Sequence, residues 1–315
     1  MYRMSVAMLA LAALLVGCNN KSTKPDETPT VQTRDAEVGA SMELQVQCDG
    51  GDLDTCDALA MRYLEGRGVP ADPNEAARRF DANCTKGHIA SCFRIGLLTN
   101  TGTGVPPDRE RAQKLYRKAW DGGHTQACND LAVLLSKDGG NTSEALKLYE
   151  AGCAEGNGVA CFNLAFRYER GDGTAAKAVE YYGKSCDLEY AEGCNHLGLA
   201  YRYGQGVEKD APRAVQLYVK ACGGGYGPSC NSLGTMYLRG TDTPQDVASA
   251  SIYYLKACDI GFGRGCTNMG HVLEQLPPGE QTAAALYQRG CDRGDPKGCS
   301  NLGVLYLQGK HGVEK

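Results

Sequence analysis

The sequence predicts an all-α fold of about eight helix-turn-helix repeats, and periodic features throughout the chain carry that prediction. Two cysteines with seven residues between them recur at Cys48/Cys56, Cys84/Cys92, Cys153/Cys161, Cys186/Cys194, Cys222/Cys230, Cys258/Cys266 and Cys291/Cys299. An eighth copy falls at Trp120/Cys128, where tryptophan stands at the first cysteine position. Successive first positions lie 36, 36, 33, 33, 36, 36 and 33 residues apart. That is the period of stacked helix pairs.

Each pair reads as a loop joining two helices. Eight residues of continuous helix rise about 12 Å, whereas bridged Cα atoms lie within about 7 Å. The chain therefore turns back between the two positions. The turn residue is the third after the first position: Gly51, Gly87, Gly123, Gly156, Gly225, Gly261 and Gly294, with Glu189 as the departure. Glycine there reads as the left-handed residue that ends a helix.

The helix before each loop (helix B) has alanine eight residues before the first position, at Ala76, Ala112, Ala145, Ala178, Ala214, Ala250 and Ala283. Four residues before it stands an aromatic: Phe80, Tyr116, Tyr149, Tyr182, Tyr218, Tyr254 and Tyr287. These positions share one helix face, the small residue admitting a neighbour and the ring filling the space beside it. Asp108, Ser143 and Asp210 are placed as caps or first-turn residues. The helix after each loop (helix A) has an aliphatic residue three positions past the second cysteine, as in Leu59, Ile95 and Leu233, followed always by Gly or Ala. Glycine inside a helix costs roughly 1 kcal/mol relative to alanine, so its recurrence points to close backbone contact. The three-residue length difference falls after helix A, comparing Gly66–Pro73 with Gly171–Thr174, and locates a surface loop.

Of the 315 residues 22% are charged and the net charge is −4, which gives no pointer to nucleic acid. Of the 16 cysteines, all but Cys18 and Cys128 are paired at fixed spacing, which points to an oxidising compartment. Residues 1–18 read as a lipoprotein signal: Arg3, then an apolar run from Ser5 to Val16, too short to span a membrane comfortably, ending in Leu15-Val16-Gly17-Cys18. Cys18 is then the lipidated residue. Residues 19–39 are polar and read as a flexible tether, with 40–315 as the folded part. The expected address is the bacterial cell envelope, lipid-anchored, facing the periplasm or the cell surface.

Two sets of residues carry a family resemblance. Helix A and its loop follow Leu-Gly-x-x-Tyr-x-x-Gly-x-Gly-Val, and helix B follows Asp-x-x-x-Ala-x-x-x-Tyr-x-Lys-Ala. This pattern resembles the Sel-1-like repeat, a relative of the tetratricopeptide repeat, over nearly all of residues 40–315. The added cysteine loop is similar to that of the Helicobacter cysteine-rich proteins. The resemblance implies an α/α superhelix, a right-handed solenoid whose repeats are tied by disulfides at the seven cysteine pairs.

Chemistry has little to rest on. Some cysteine-rich relatives are described as penicillin-binding or β-lactamase-like, so a β-lactam-binding hydrolase is the rival reading, with a β-lactam or peptidoglycan fragment as ligand. Ser-x-x-Lys, Ser-Asp-Asn and Lys-Thr-Gly are all absent from the sequence. His88, His124, His196, His271 and His311 are scattered without a metal-binding motif. Zinc could use the cysteines, but their spacing and the secretory address favour disulfides. No pattern points to a cofactor.

The preferred reading is a scaffold that binds a protein or peptide along its A helices. Candidate contact residues, one and five positions past the second cysteine or a turn further, are Phe93, Asn129, Phe162, Phe166, Arg167, Asn195, Arg202 and Asn231. Amides would pair with a peptide backbone, rings would take side chains, and arginine would take a carboxylate. Against this, the asparagines could only bridge adjacent helices and the phenylalanines only pack between repeats. Cys128, left without its partner by Trp120, is a free thiol. It is read either as a buried small hydrophobe or as a reactive group. After the last helix A the chain ends at Gly309–Lys315, so Leu302 and Tyr306 are expected to be only partly covered.

Overall fold

A computed structural model describes residues 31–137, 142–275 and 280–308, with side chains from residue 35 onward except at 280–282. The signal, Cys18, residues 19–30 and the terminal Gly309–Lys315 stretch lie outside the described residues. Every regular element among the described residues is helical. They divide into two compact units, 31–160 and 161–308.

In the first unit the helices are α1 (Val31–Asp49), α2 (Leu53–Glu65), α3 (Pro73–Thr85), α4 (Ile89–Thr101), α5 (Arg109–Asp121), α6 (Thr125–Ser136) and α7 (Thr142–Ala154). Helix α8 (Gly158–Arg167) runs over the boundary. The second unit continues with α9 (Ala175–Asp187), α10 (Ala191–Tyr203), α11 (Ala211–Gly223), α12 (Gly227–Arg239), α13 (Val247–Asp259), α14 (Gly263–Glu274), α15 (Glu280–Asp292) and α16 (Pro296–Leu307). Within each unit a helix packs on the ones before and after it in sequence, as a repeat stack requires.

The helix ends follow from their sequences. Asp72, Asp108, Asp210 and Asp246 cap the B helices, each carboxylate accepting from backbone N–H groups of the first turn. Gly66, Gly102, Gly204 and Gly240 close the A helices in the left-handed conformation. In the shorter loop after α8 the chain instead makes a π-turn over Tyr168–Asp172, with Gly171 at φ 115°. The residues 31–39, read from sequence as tether, are the first part of α1. Their side of that helix is anchored where Ser41 Oγ and Arg62 both reach the Glu37 carbonyl.

The core is the alanine–aromatic stripe of the B helices set against the aliphatic–glycine stripe of the A helices. Phe80, Tyr116, Tyr182, Tyr218 and Tyr287 are among the largest fully buried side chains. Each ring needs the small residue opposite: a Cβ on Gly96 would lie 2.9 Å from Tyr116, and one on Gly270 would lie 2.8 Å from Tyr287. At the last described helix, Leu302 is buried, contrary to expectation, because it joins a core cluster with Val272, Leu273 and Leu286. Tyr306 remains exposed.

The cysteine loops join as their spacing and the family resemblance imply. In the first unit Cys48 is bonded to Cys56 and Cys84 to Cys92, with Cα–Cα separations of 4.6 and 4.5 Å. In the second unit Cys186 is bonded to Cys194 at 4.4 Å and Cys222 to Cys230 at 4.8 Å. Cys258 is bonded to Cys266, and Cys291 to Cys299, both at 4.6 Å. Cys153 and Cys161 are disulfide-bonded as well. Their surroundings differ along the chain. Cys56, Cys92 and Cys266 are buried in the core, where a reductant reaches them only if the repeat opens. Cys299, on the last described helix, is exposed.

Candidate functional site

In the first unit a polar network links successive A helices. Ser91 Oγ, on α4, donates to Asp57 Oδ1, on α2, at 2.7 Å. Arg94 is ion-paired with the same Asp57. His88 caps α4: its Nδ1 accepts from the Ser91 backbone N–H and lies 2.8 Å from Ser91 Oγ. His88 Nε2 meets Asp54 at 3.0 Å. Serine, histidine and aspartate thus stand in line, but not as a nucleophile and its base. Ser91 is 0% exposed and its hydroxyl proton is committed to Asp57. Nucleophilic attack needs a substrate atom at the serine oxygen, and here helix packing occupies that place.

Beside this network the A helices enclose a cavity of about 230 Å³. Met61 and Leu64 of α2, Phe93, Arg94, Leu97 and Leu98 of α4, and His124 and Gln126 at the start of α6 line it, with Phe80 beneath. Leu97 is 43% exposed at its mouth. The His124 ring stacks on Phe93 with centroids 4.3 Å apart. His124 occupies the cap position that His88 holds one repeat earlier, but Ala127 stands where Ser91 would be. The His124 Nδ1 is buried and has no hydrogen-bond partner among the described residues. Desolvation holds the ring below the usual imidazole pKa.

The remaining candidates separate by environment. Asn195 is buried, with Oδ1 accepting from Ser229 Oγ at 2.7 Å, and Asn231 Oδ1 accepts from Asn268 at 2.7 Å. Both amide oxygens bridge neighbouring A helices. Asn129 donates to Asp130 on its own helix. Arg167 pairs with Asp172 at 2.6 Å and Arg202 with Asp242 at 2.8 Å. Phe162 packs among Tyr182, Tyr190 and His196, at centroid distances of 5.7, 5.4 and 5.2 Å. Phe166 stays at the surface, 36% exposed, with the Arg170 guanidinium over its ring. Phe93 lines the cavity and Phe166 faces solvent, whereas the asparagines and arginines are engaged within the chain. His124 belongs to no metal-binding motif in the sequence and so does not stand out among the five scattered histidines. The signal was the register itself: the same position as His88, with the serine lost.

Cys128 is fully buried, and its Sγ donates to the Thr125 carbonyl at 2.9 Å. Burial pushes the thiol up to about 11. Its sulfur points at Gly152, where a Cβ would collide with it. Trp120 packs against the apolar cluster of Phe80, Ile95 and Ala127. These features make Cys128 a packed hydrophobe. The paired cysteines, from Cys56 and Cys92 to Cys266 and Cys299, have their sulfurs committed to each other and offer no thiolate to a metal. Among the described residues, no group of three or more His, Cys, Asp or Glu is arranged to hold a metal ion.

The model of the Sel1 repeat matches eight times, over residues 54–78, 89–124, 125–157, 158–190, 191–226, 227–262, 264–295 and 296–315. The chain belongs to the Sel1 repeat family. Its fold is the family's α/α solenoid, tied here by disulfides. A Sel1 repeat protein from Oxalobacter formigenes is similar at TM-score 0.68 and 22% identity, over 84% of this chain and 79% of that one. A protective antigen of uropathogenic Escherichia coli is similar at TM-score 0.62 and 23% identity, over 85% of this chain. This Sel1 repeat chain spans 59% of the length of that antigen. Cysteine-rich protein B of Helicobacter pylori is 30% identical, with a TM-score of 0.35, over 41% of this chain and 97% of its own. Among curated proteins no sequence matches this Sel1 repeat chain. Its disulfides place it in an oxidising, extracytoplasmic compartment. Among the described residues no helix is long and apolar enough to cross a membrane.

Proposed function

We propose that this Sel1 repeat protein is an envelope scaffold that holds a protein partner by an extended segment laid along its A helices. The cavity lined by α2, α4 and α6 carries this reading. It is lined mainly by apolar side chains and shared by successive repeats, which is how repeat stacks present binding surfaces. Leu97, exposed on an A helix of the first unit, supplies an anchor.

A photo-crosslinking residue at position 97, in intact envelopes, tests it. The expected result is one discrete adduct that is missing when the crosslinker replaces Val219, exposed on helix α11. Adducts that do not differ between these positions would overturn the assignment to the A helices.

The anchor rests on Leu15-Val16-Gly17-Cys18. A lipid chain on Cys18 would hold the scaffold at a membrane through a tether shorter than the sequence suggests, since α1 begins at Val31. Replacing Cys18→Ala should move the protein from the membrane to the soluble fraction. Retention at the membrane would remove the anchor from this reading.

A further inference from the structure

We propose that Cys258–Cys266 is a thiol–disulfide exchange site, which a partner dithiol reduces more readily at equilibrium than the preceding bridge Cys222–Cys230, because the Arg293 guanidinium lies against both of its sulfurs. Arg293 Nη1 is 3.5 Å from Cys258 Sγ and 3.4 Å from Cys266 Sγ, and it donates to the Cys258 carbonyl. The scaffold reading needs every bridge only as a staple.

The cation comes from the next repeat. Arg293 stands two residues after Cys291, in the loop between α15 and α16. Lys86 apart, the other loops carry an uncharged or acidic residue at that position, as in Glu155, Gly224 and Ile260. The Lys86 side chain is exposed. Lys118 reaches the Cys84 carbonyl at 2.8 Å rather than a sulfur. Ile260 stands in sequence to Cys222–Cys230 as Arg293 does to Cys258–Cys266. There Cys230 Sγ meets the Cys222 carbonyl at 3.6 Å. The four cysteines of these two bridges are at most 1% exposed, so the bridges differ in charge and not in burial. Asp259, next to Cys258, is paired with Arg289 at 3.0 Å, which leaves Arg293 to the bridge.

Charge decides the direction. A disulfide is neutral, whereas reduction yields thiols whose thiolate form a buried site resists. Burial alone pushes the Cys128 thiol up to about 11. A guanidinium within 3.5 Å of either sulfur offsets that cost and favours the thiolate. In the exchange, a thiolate of the partner dithiol attacks one sulfur and the S–S bond breaks, giving a mixed disulfide. The other sulfur leaves as a thiolate beside Arg293. The partner's second thiol then displaces the first cysteine. The partner becomes a disulfide, and Cys258 and Cys266 together gain two electrons and two protons. Access to the buried sulfurs comes from local opening of the repeat. Arg293 acts on the equilibrium reached when the repeat recloses.

The intact protein is equilibrated with graded mixtures of reduced and oxidised dithiothreitol, then alkylated and mapped bridge by bridge by peptide mass. Cys258–Cys266 should be half reduced at a reduced-to-oxidised ratio about tenfold lower than Cys222–Cys230, equivalent to about 30 mV. That comparison needs no variant. Arg293→Met should bring the two midpoints together. The sign of the shift separates charge from a merely structural role. Loosening of the repeat would make Cys258–Cys266 easier to reduce in Arg293→Met, whereas loss of the cation makes it harder. Equal midpoints in the parent protein, an unchanged difference in the variant, or a variant bridge that is reduced more easily overturns the proposal. Crosslinking at position 97 is independent of all these outcomes, so the scaffold reading is tested separately.

Discussion

The backbone of Gly234 lies directly against the ring of Tyr254, where a Cβ would sit 2.6 Å from the ring carbon Cδ1. The glycine of helix A and the aromatic of the following helix B are one packing unit, repeated at Gly96/Tyr116, Gly198/Tyr218 and Gly270/Tyr287. Neither residue explains the other's recurrence without the helix-to-helix approach that joins them.

Gly234→Ala should therefore destabilise by about 1–3 kcal/mol, since the added methyl forces the ring or the helices apart. Gly183, inside α9, has open space where its Cβ would go. Gly183→Ala should stabilise by up to about 1 kcal/mol through helix propensity. Urea midpoints followed by circular dichroism compare the two. Changes of the same sign would refute the packing unit.

Glu189 stands at φ 62°, where the other loops place glycines such as Gly225 at φ 86° and Gly261 at φ 96°. A residue with a side chain in that region is strained by roughly 1–2 kcal/mol. Glu189→Gly should raise the melting temperature, corresponding to a gain of about 1 kcal/mol. A variant no more stable than the parent would show that the loop between α9 and α10 relieves the strain in another way.

Each disulfide closes a loop with a sequence separation of 8, worth about 2–3 kcal/mol in the chain-entropy model. Full reduction should lower both helicity and the melting midpoint sharply. Under limiting reductant the Cys291–Cys299 bridge should open before Cys84–Cys92, since Cys299 is exposed and Cys92 is buried. Cys128 should behave oppositely to a reactive thiol, titrating with a thiol reagent only after denaturant opens the core. A Cys128→Ser control identifies its signal. Rapid labelling of the native protein would contradict its burial and raised pKa.

His124 and His196 are both held below the imidazole reference pKa of 6.5, chiefly by burial. As pH falls below 6.5 the unfolded chain binds protons that the folded chain resists, so stability declines; above that pH these rings contribute no slope. Melting temperatures at about pH 5 and about pH 7.5 measure this. His196→Phe should flatten the dependence, because a ring that cannot be protonated still packs against Phe162 and Tyr182. An unaltered slope would assign the effect to other groups.

Much of the fold is legible because its signals are local and recur. One period places Ala214, Tyr218 and Cys222 on a single face, and the structure buries all three. The helix over residues 31–39 was not legible, because its composition is polar. Its packing depends on Ser41 and Arg62, the second lying in the next helix.

The candidate site was only half legible. Phe93 and Leu97 follow from counting along helix A, and both line the cavity. Asn195 and Asn231 come from the same count, yet their amide oxygens bond across to Ser229 and Asn268. Whether a helix-A position faces solvent or the next repeat depends on residues more than thirty positions away, which a within-helix period does not encode.

By itself the sequence determined the repeat, its helix pairs, the oxidised loops and the apolar stripe, because each is set by spacing along one chain segment. Only the tertiary structure decided which polar groups are spent on neighbours and which are left over. Ser91 is sealed by Asp57 while the His124 Nδ1 is left without a partner. The physical reason is that a hydrogen bond between stacked repeats, such as that from Ser91 to Asp57, depends on what a residue more than thirty positions away presents.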